Sequence, residues 1–218
     1  MPQLVSYCIP YDDGAAPNPF WGICTLVICK PVIRRTADIG DWIVATGSMN
    51  SPQGDISGQV VYAMRITDKM SMEKYDHHTK RELRGKVPEW LSPDPRVRVG
   101  DSIYDFERSP PSLRPSVHSE SNRERDLGGL CALLSSDFYY FGKSAVPLPA
   151  ELRPIVKQGQ GHRSRSNAPY LIAFVEWIRT QKPGVNGEPQ MWKWGALGDC
   201  GSCRAHDDEE DERIGCAD

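Results

Sequence analysis

The stretch from Ile23 to Lys69 reads ICTLVICKPVIRRTADIGDWIVATGSMNSPQGDISGQVVYAMRITDK. It contains three apolar runs of strand length, rich in β-branched residues and separated by Pro, Gly, Asp and Ser. Such lengths and separators are typical of β-strands rather than helices. The middle strand is predicted to begin at Trp42, directly after a tight Gly40-Asp41 turn, and to end at Thr46. We expect the rest of the chain to be organised around this sheet.

The two ends of the predicted middle strand differ in chemistry. Trp42 offers a wide aromatic surface at one end. Thr46, Gly47 and Ser48 offer small polar groups at the other, and Gly47 allows a ligand to approach the backbone closely. A pocket for a flat, hydrogen-bonding ligand needs both features, so this strand is predicted to line a binding site.

The loop from Tyr11 to Gly22 is rich in turn residues yet carries three aromatic residues. Phe20 and Trp21 stand side by side in it, and Asn18 and Asp12 are its best-placed polar groups for reading hydrogen bonds. Two interpretations stay open. The rings fold back onto the core as a lid, or the loop walls a pocket that faces the middle strand.

Four consecutive aromatic residues occupy positions 138–141, and in a strand they must point to both faces. One or two of these rings are expected to line the same pocket. The ligand-binding candidates are therefore Tyr11, Asn18, Phe20, Trp21, Trp42, Thr46, Gly47, Ser48, Tyr139 and Tyr140.

Helices are expected to be few, because 18 prolines and 19 glycines indicate many turns. Ser71 is a predicted N-cap for a polar helix over residues 72–83, and an amphipathic helix is predicted over residues 170–180. The expected fold class is α+β, as a mixed, strongly bent sheet or a β-barrel with a few peripheral helices. Residues 107–126 lack periodicity and are expected to be an extended, partly ordered excursion in which His118 lies on the surface.

A chain of 218 residues fits one domain, which we place at residues 1–182. Residues 183–218 form an acidic, cysteine-containing tail that is predicted to be partly disordered. Cys200, Cys203, His206 and Cys216 suggest zinc, but the first Cys-X-X-Cys lacks a matching second pair, so no metal is predicted.

The composition and charge of the chain argue against some classes of function. A net charge of −3 argues against non-specific nucleic-acid binding, and the chain has no secretory signal or membrane-spanning apolar run, so a cytoplasmic protein without membrane contact is expected. Seven cysteines without a signal favour thiols over a disulfide framework, and Cys8, Cys24 and Cys29 are interpreted as small core residues within strands. No cofactor is predicted.

Candidates for phosphate binding and catalysis are few. Arg34 and Arg35 can bind phosphate bidentately, although simple solvation of adjacent arginines is the common alternative. The chain has no P-loop, HEXXH, nucleophile elbow, dinucleotide fingerprint or deaminase signature. If it is an enzyme, Asp12, Asp137 or His162 would act as acid or base.

Several motifs in combination resemble the nucleotide-modification-associated domain family, the second of that name, from about residue 4 to about residue 180. They are Tyr11-Asp-Asp-Gly, Ala16-Pro-Asn-Pro-Phe, Cys29-Lys-Pro, Ile33-Arg-Arg-Thr, Gly40-Asp-Trp-Ile-Val, Ser136-Asp-Phe-Tyr-Tyr-Phe-Gly and Gln160-Gly-His. The resemblance implies a role in phage or bacterial systems that make or handle modified DNA bases. It implies no particular catalytic residue.

The Gly-Asp turn followed by a strand, a loop and a second strand is also similar to the PUA-like barrels of the EVE, YTH and ASCH group. That similarity implies a base held between aromatic rings, with Trp42, Ser48 and the Phe20-Trp21 loop lining the pocket. The long excursion over residues 107–126 departs from a simple barrel.

Three functions follow from these observations. The leading one is a module that binds a modified base or nucleotide, free or in nucleic acid, in an aromatic pocket. The alternative is an enzyme acting on a nucleotide or modified base in a DNA modification pathway. The third is a structural partner that recruits a DNA-modification enzyme.

Overall fold

The computed structural model of the chain describes residues 1–192, and the zinc candidates Cys200, Cys203, His206 and Cys216 lie outside the described residues. The strands are β1 Leu4–Cys8, β2 Cys24–Leu26, β3 Trp42–Thr46, β4 Gln59–Arg65, β5 Asp68–Ser71, β6 Tyr104–Asp105, β7 Ser112–Leu113, β8 Cys131–Ser135, β9 Asp137–Tyr140, β10 Val146–Pro147, β11 His162–Arg163 and β12 Gly184–Val185. The α-helices are α1 Pro31–Thr36, α2 Met72–Glu82, α3 Pro95–Arg98, α4 Arg123–Leu127 and α5 Leu171–Ile178.

The larger sheet has the order β11-β1-β3-β4-β9-β12, with β10 added beside β4. β1 runs parallel to β3, and β3, β4 and β9 are antiparallel neighbours. Within residues 1–192 this sheet is open, so the α+β class is confirmed and the barrel alternative is not seen. A smaller sheet has the order β2-β8-β5.

Both faces of β3 are buried, which explains its continuous apolar sequence. Ile43 and Ala45 point into a core shared with the smaller sheet. Trp42 and Val44 point the other way, into a core completed by α5 and residues 150–155. Successive side chains of a strand alternate between faces, so the two ends of β3 serve different layers.

The predicted helices over residues 72–83 and 170–180 are confirmed as α2 and α5. The hydroxyl of Ser71 caps α2 by accepting the backbone N–H of Lys74. Phe174 and Ile178 of α5 are fully buried against the larger sheet. Among the helices of residues 1–192, none is long and apolar enough to cross a membrane.

The prediction for residues 107–126 is wrong. This segment is ordered: it contains β7 and α4, and His118 and Asp126 within it are buried. Its buried residues pack with α2 and β8 in a third apolar cluster that includes Tyr104 and Val117. The physical reason is that Leu113 and Val117, though not periodic, pack in a cluster with Ala132 and Leu134 of the smaller sheet.

The interpretation of Cys29 as a strand residue of the core is also wrong. β2 ends at Leu26, and Cys29 is only partly buried, in a turn between β2 and α1. Cys29 and Lys30 both have positive φ, 57° and 42°, so the chain reverses there before Pro31 opens the helix. Cys24, in contrast, is fully buried, as expected.

Candidate functional site

Three polar side chains meet beside the turn between β2 and α1. The Cys29 Sγ lies 3.6 Å from the His118 Nε2, and the His118 Nδ1 lies 2.6 Å from the Asp126 Oδ2. The imidazole and the carboxyl group are buried, whereas Cys29 is partly exposed. This places a thiol, an imidazole and a carboxyl group in one chain of contacts, here called the Cys29 cluster.

The hydrogen bonds of Asp126 fix the roles of the ring nitrogens. Its Oδ1 accepts the backbone N–H of Cys29 at 2.9 Å, and its Oδ2 accepts the hydroxyl of Tyr104 at 3.2 Å. A carboxylate that already accepts from two donors acts as an acceptor toward His118 as well, so the Nδ1 of the imidazole carries the proton there. The Nε2 is then the basic nitrogen, and it faces the thiol of Cys29.

Arg34 holds the segments of the cluster together. Its guanidinium is fully buried and donates to the backbone carbonyls of Cys29, Cys131 and Asp126. Burial lowers the pKa of Arg34 to about 10 and the charge of Asp126 opposes that change, so the group stays cationic near neutral pH. The expectation that adjacent arginines are simply solvated is wrong for Arg34. Its guanidinium nitrogens donate to protein carbonyls rather than pointing to solvent.

The Cys29 cluster also offers metal-ligand atoms. Its sulfur, nitrogen and oxygen atoms lie within 4.8 Å of one another. A search of residues 1–192 for three or more possible metal-binding side chains in such proximity finds this cluster. However, Asp126 already accepts from Cys29, Tyr104 and His118. It is therefore placed behind the imidazole, and the Cys29 Sγ and the His118 Nε2 face each other at 3.6 Å.

The parallel strands β1 and β3 end beside this turn. Lys30 places its Nζ 4.8 Å from the centre of the Tyr7 ring, near the end of β1. Burial raises the pKa of the Cys8 thiol above its usual value, while the Ser48 hydroxyl and the charges of Lys30 and Lys157 oppose that rise. The charges of both ammonium groups therefore act on Cys8, the last residue of β1. Neither forms an ion pair with a carboxylate in residues 1–192.

Other predicted residues lie at the same place. Thr46 ends β3 beside Cys8, and Gly47 and Ser48 follow it. The Thr46 hydroxyl is buried without a hydrogen-bond partner in the described chain. His162 of β11 pairs with Tyr7 across the sheet. The structure thus brings the polar end of β3 and His162 together with Lys30, as neighbours of Cys29.

The predicted aromatic residues do not converge on one pocket. Trp42 packs against Tyr139 and Phe174, with Arg179 5.2 Å from its ring centre. Phe20 stacks on Trp192, in a different apolar cluster. The structure therefore separates Trp42 from the Phe20-Trp21 loop, and Phe20 follows the interpretation in which the loop folds onto the core.

The remaining aromatic candidates are in different surroundings. Trp21 packs against the backbone of Gly85, with Arg96 5.5 Å from its ring. The hydroxyl of Tyr140 donates to the Asp12 Oδ2 at 2.6 Å, and both groups are buried. Tyr11 keeps 38% of its surface exposed three residues beyond β1, so it is the candidate ring best placed to meet a ligand there.

Three further candidates have clear structural partners. Asp137 forms a pair of hydrogen bonds with the guanidinium of Arg179, at the edge of the Trp42 layer. Arg35 donates to the carbonyl of Gly128. Asn18 is buried, where it donates to the carbonyl of Val99 and accepts from Lys86.

Sequence reasoning missed the Cys29 cluster because its members are far apart in the chain. Cys29 and His118 are separated by 89 positions, and the backbone N–H of Cys29 meets the Asp126 carboxylate across 97 positions. One local signal was present, since Cys-Lys-Pro places a cysteine two residues before a helix that opens with proline. No local signal points to His118 or Asp126.

The comparisons with known proteins give one match. Residues 1–196 match the family model described as nucleotide modification associated domain 2, which includes all of the residues described above. No curated protein matches the chain, and no solved structure matches it. Because the match covers most of the 218 residues, the chain belongs to the nucleotide modification associated domain 2 family.

Proposed function

We propose that this protein binds a nucleotide, free or within DNA, at the carboxyl ends of β1 and β3, as part of a DNA modification pathway. The observation that carries the proposal is the Lys30 ammonium, which lies 4.8 Å from the centre of the Tyr7 ring near the end of β1. The charge of Lys157 also acts on Cys8, and neither lysine has a carboxylate partner in the described chain. β1 and β3 are a parallel pair within this mixed sheet, and in open α/β sheets ligands bind outside the carboxyl ends of neighbouring parallel strands. A phosphate group is the natural counter-ion for two such lysines.

The nucleobase of the ligand would contact fewer aromatic rings than the sequence predicted. Trp42, Phe20 and Tyr140 are engaged within the protein, so the proposed stacking ring is the exposed Tyr11. Ser48 would bond the ligand from the end of β3. A modification on the base is then recognised beside Tyr11 rather than between two rings. Turnover of the bound nucleotide is a second candidate function, favoured by the contact between Cys29 and His118.

Calorimetry with the full chain tests the binding proposal. Each ordinary or modified deoxynucleoside 5′-monophosphate is compared with its nucleoside, and the monophosphate is expected to bind more tightly. Lys30→Met and Lys157→Met each remove a charge-assisted hydrogen bond worth about 1.5 kcal/mol, so each should weaken monophosphate binding about tenfold. Nucleoside binding should be unchanged.

Lys182→Met is the matched control, because Lys182 is exposed and precedes β12 on a different part of the sheet. It should leave the affinity unchanged. Equal affinities for nucleosides and monophosphates, or an equal loss in the Lys182 variant, would exclude a phosphate site at Lys30 and Lys157.

A further inference from the structure

We propose that Cys29 is a catalytic nucleophile that accepts an acyl group, with His118 as general base and Asp126 as the residue that orients the imidazole. The chemical class of substrate is a nucleotide whose base or sugar carries an amide or ester. That substrate class rests on the proposed nucleotide site. The thiol chemistry itself rests on the Cys29 cluster alone.

The contacts match what thiol catalysis requires. A cysteine nucleophile needs a base within reach of its sulfur, and the base needs a third group that fixes its tautomer. The Sγ to Nε2 distance of 3.6 Å and the Nδ1 to Oδ2 distance of 2.6 Å meet both needs. Asp126 also accepts the backbone N–H of Cys29, so one carboxylate positions both the base and the nucleophile.

The backbone at Cys29 supports the same role. Cys29 and Lys30 are consecutive non-glycine residues with positive φ, a conformation that costs free energy and is found at functional sites when the surroundings enforce it. Neighbouring side chains hold this backbone conformation, because the amide of Cys29 is bound by Asp126 and its carbonyl by Arg34. The turn leaves Cys29 partly exposed while its base is buried. A purely structural thiol does not require this arrangement.

The reaction is an acyl substitution in two halves. The Cys29 thiol gives its proton to the His118 Nε2, and the sulfur forms a bond to the carbonyl carbon of the substrate. The bond from that carbon to the leaving nitrogen or oxygen then breaks, and the leaving group takes the proton from His118. Water next attacks the thioester as His118 accepts one of its protons. The carbon–sulfur bond breaks, a carboxylic acid leaves, and Cys29 takes the proton back.

A resident metal ion fits the same residues less well. Structural zinc sites use four protein ligands and catalytic ones use three. Within residues 1–192 the cluster supplies one thiol, one imidazole and one carboxylate, and the carboxylate of Asp126 already accepts from three donors. The carboxylate would have to give up those donors to reach an ion held by the other two.

The test uses p-nitrophenyl acetate as the acyl donor for the full chain. We expect a burst of p-nitrophenolate and an acetyl group on Cys29, read by intact-mass measurement after acid quench and by peptide mapping. Cys8 provides an internal comparison in the unaltered protein, since it is also a partly buried thiol. Cys29 should be acetylated at least about 100-fold faster than Cys8, the size of a general-base contribution.

Variants then test whether His118 is the general base. His118→Gln should slow acetylation of Cys29 about 100-fold or more, and His77→Gln, at an exposed position of α2, should not change it. Near-ultraviolet circular dichroism confirms that each variant is folded. Acetylation of Cys8 and Cys29 at equal rates would overturn the proposal. So would a stoichiometric zinc ion that is lost in Cys29→Ser.

Protection of Cys29 from acetylation by a bound nucleotide tests the catalytic proposal separately from the binding proposal. A bound monophosphate should slow acetylation of Cys29 if both proposals hold. Fast acetylation without protection would retain the thiol chemistry and remove the nucleotide substrate. Tight nucleotide binding with no acetylation of Cys29 would remove the catalytic role and retain the binding site.

Discussion

Lys86 explains why the loop from Tyr11 to Gly22 is part of the core. Its buried ammonium donates to the carbonyl and side-chain oxygens of Asn18, the carbonyl of Ile23 and the hydroxyl of Thr25. Burial lowers the pKa of Lys86 to about 8, and the nearby Asp101 opposes that change. Asn18 is thereby committed to structure, which a sequence-based expectation of ligand contact could not foresee.

Asp12 should make the stability of the protein depend on pH. Burial raises its pKa from 3.8 to about 7, against the opposing hydrogen bond from Tyr140. Between these two values the folded state binds more protons than the unfolded state, so the free energy of unfolding falls as pH rises through this window. Above the folded pKa the effect levels off.

Urea unfolding of wild type and Asp12→Asn measures this effect. Between about pH 5 and about pH 8, wild type should lose on the order of 2–3 kcal/mol more stability than Asp12→Asn, which does not titrate there. Asp68→Asn, at an exposed carboxyl group of β5, should follow the wild-type profile. Parallel profiles for wild type and Asp12→Asn would contradict the raised pKa.

At the scale of elements, β3 shows what a local pattern can predict. Its position was predicted because length, β-branching and the Gly40-Asp41 turn are local features. Its partners could not be predicted, since burial of both faces removes the alternation that would tell one face from the other. The predicted pocket at Trp42 depended on that missing information.

The Trp42→Ala substitution should therefore lower the stability of the folded protein. Trp42 is 3% exposed and packs between β9 and α5. Removing a buried indole typically costs about 3–5 kcal/mol of unfolding free energy, measured by urea denaturation. Trp21→Ala is the matched comparison and should cost less, because Trp21 is 39% exposed. Loss of nucleotide affinity in folded Trp42→Ala, without loss of stability, would restore Trp42 as a ligand contact.

Helices α2 and α5 were predictable for the same local reasons, a capping serine and an apolar face. Helix α1 has only six residues, too few to show a period. The segment around His118 lacked any period, and its order arises from contacts with α2 and β8 that form only in the folded chain. The fold class was therefore accessible from sequence, and the Cys29 cluster was not.

At the scale of the whole molecule, residues 184–192 close the domain. β12 pairs with β9, and Trp192 stacks on Phe20 while its indole N–H donates to the carbonyl of Asp13. The predicted domain boundary at residue 182 precedes all of these contacts. The segment thus joins the last described strand to the first long loop.

Trp192→Ala tests that closure in the full chain. Loss of the stacked ring and its hydrogen bond is expected to lower the free energy of unfolding by about 2 kcal/mol. The measurement is urea denaturation, with the exposed Leu91→Ala as a control that should change little. An unchanged stability in Trp192→Ala would show that the segment adds nothing to the domain.

The three carbonyls bound by Arg34 have a consequence for the newly made chain. The last of them belongs to Cys131, the first residue of β8, so Cys29 is synthesised long before His118 and Asp126. Closing a loop of about 100 residues is an entropic cost that is met only when the smaller sheet assembles. In the proposed catalytic role, the thiol of Cys29 therefore has its base only after the segment that carries His118 has been made and has folded against it.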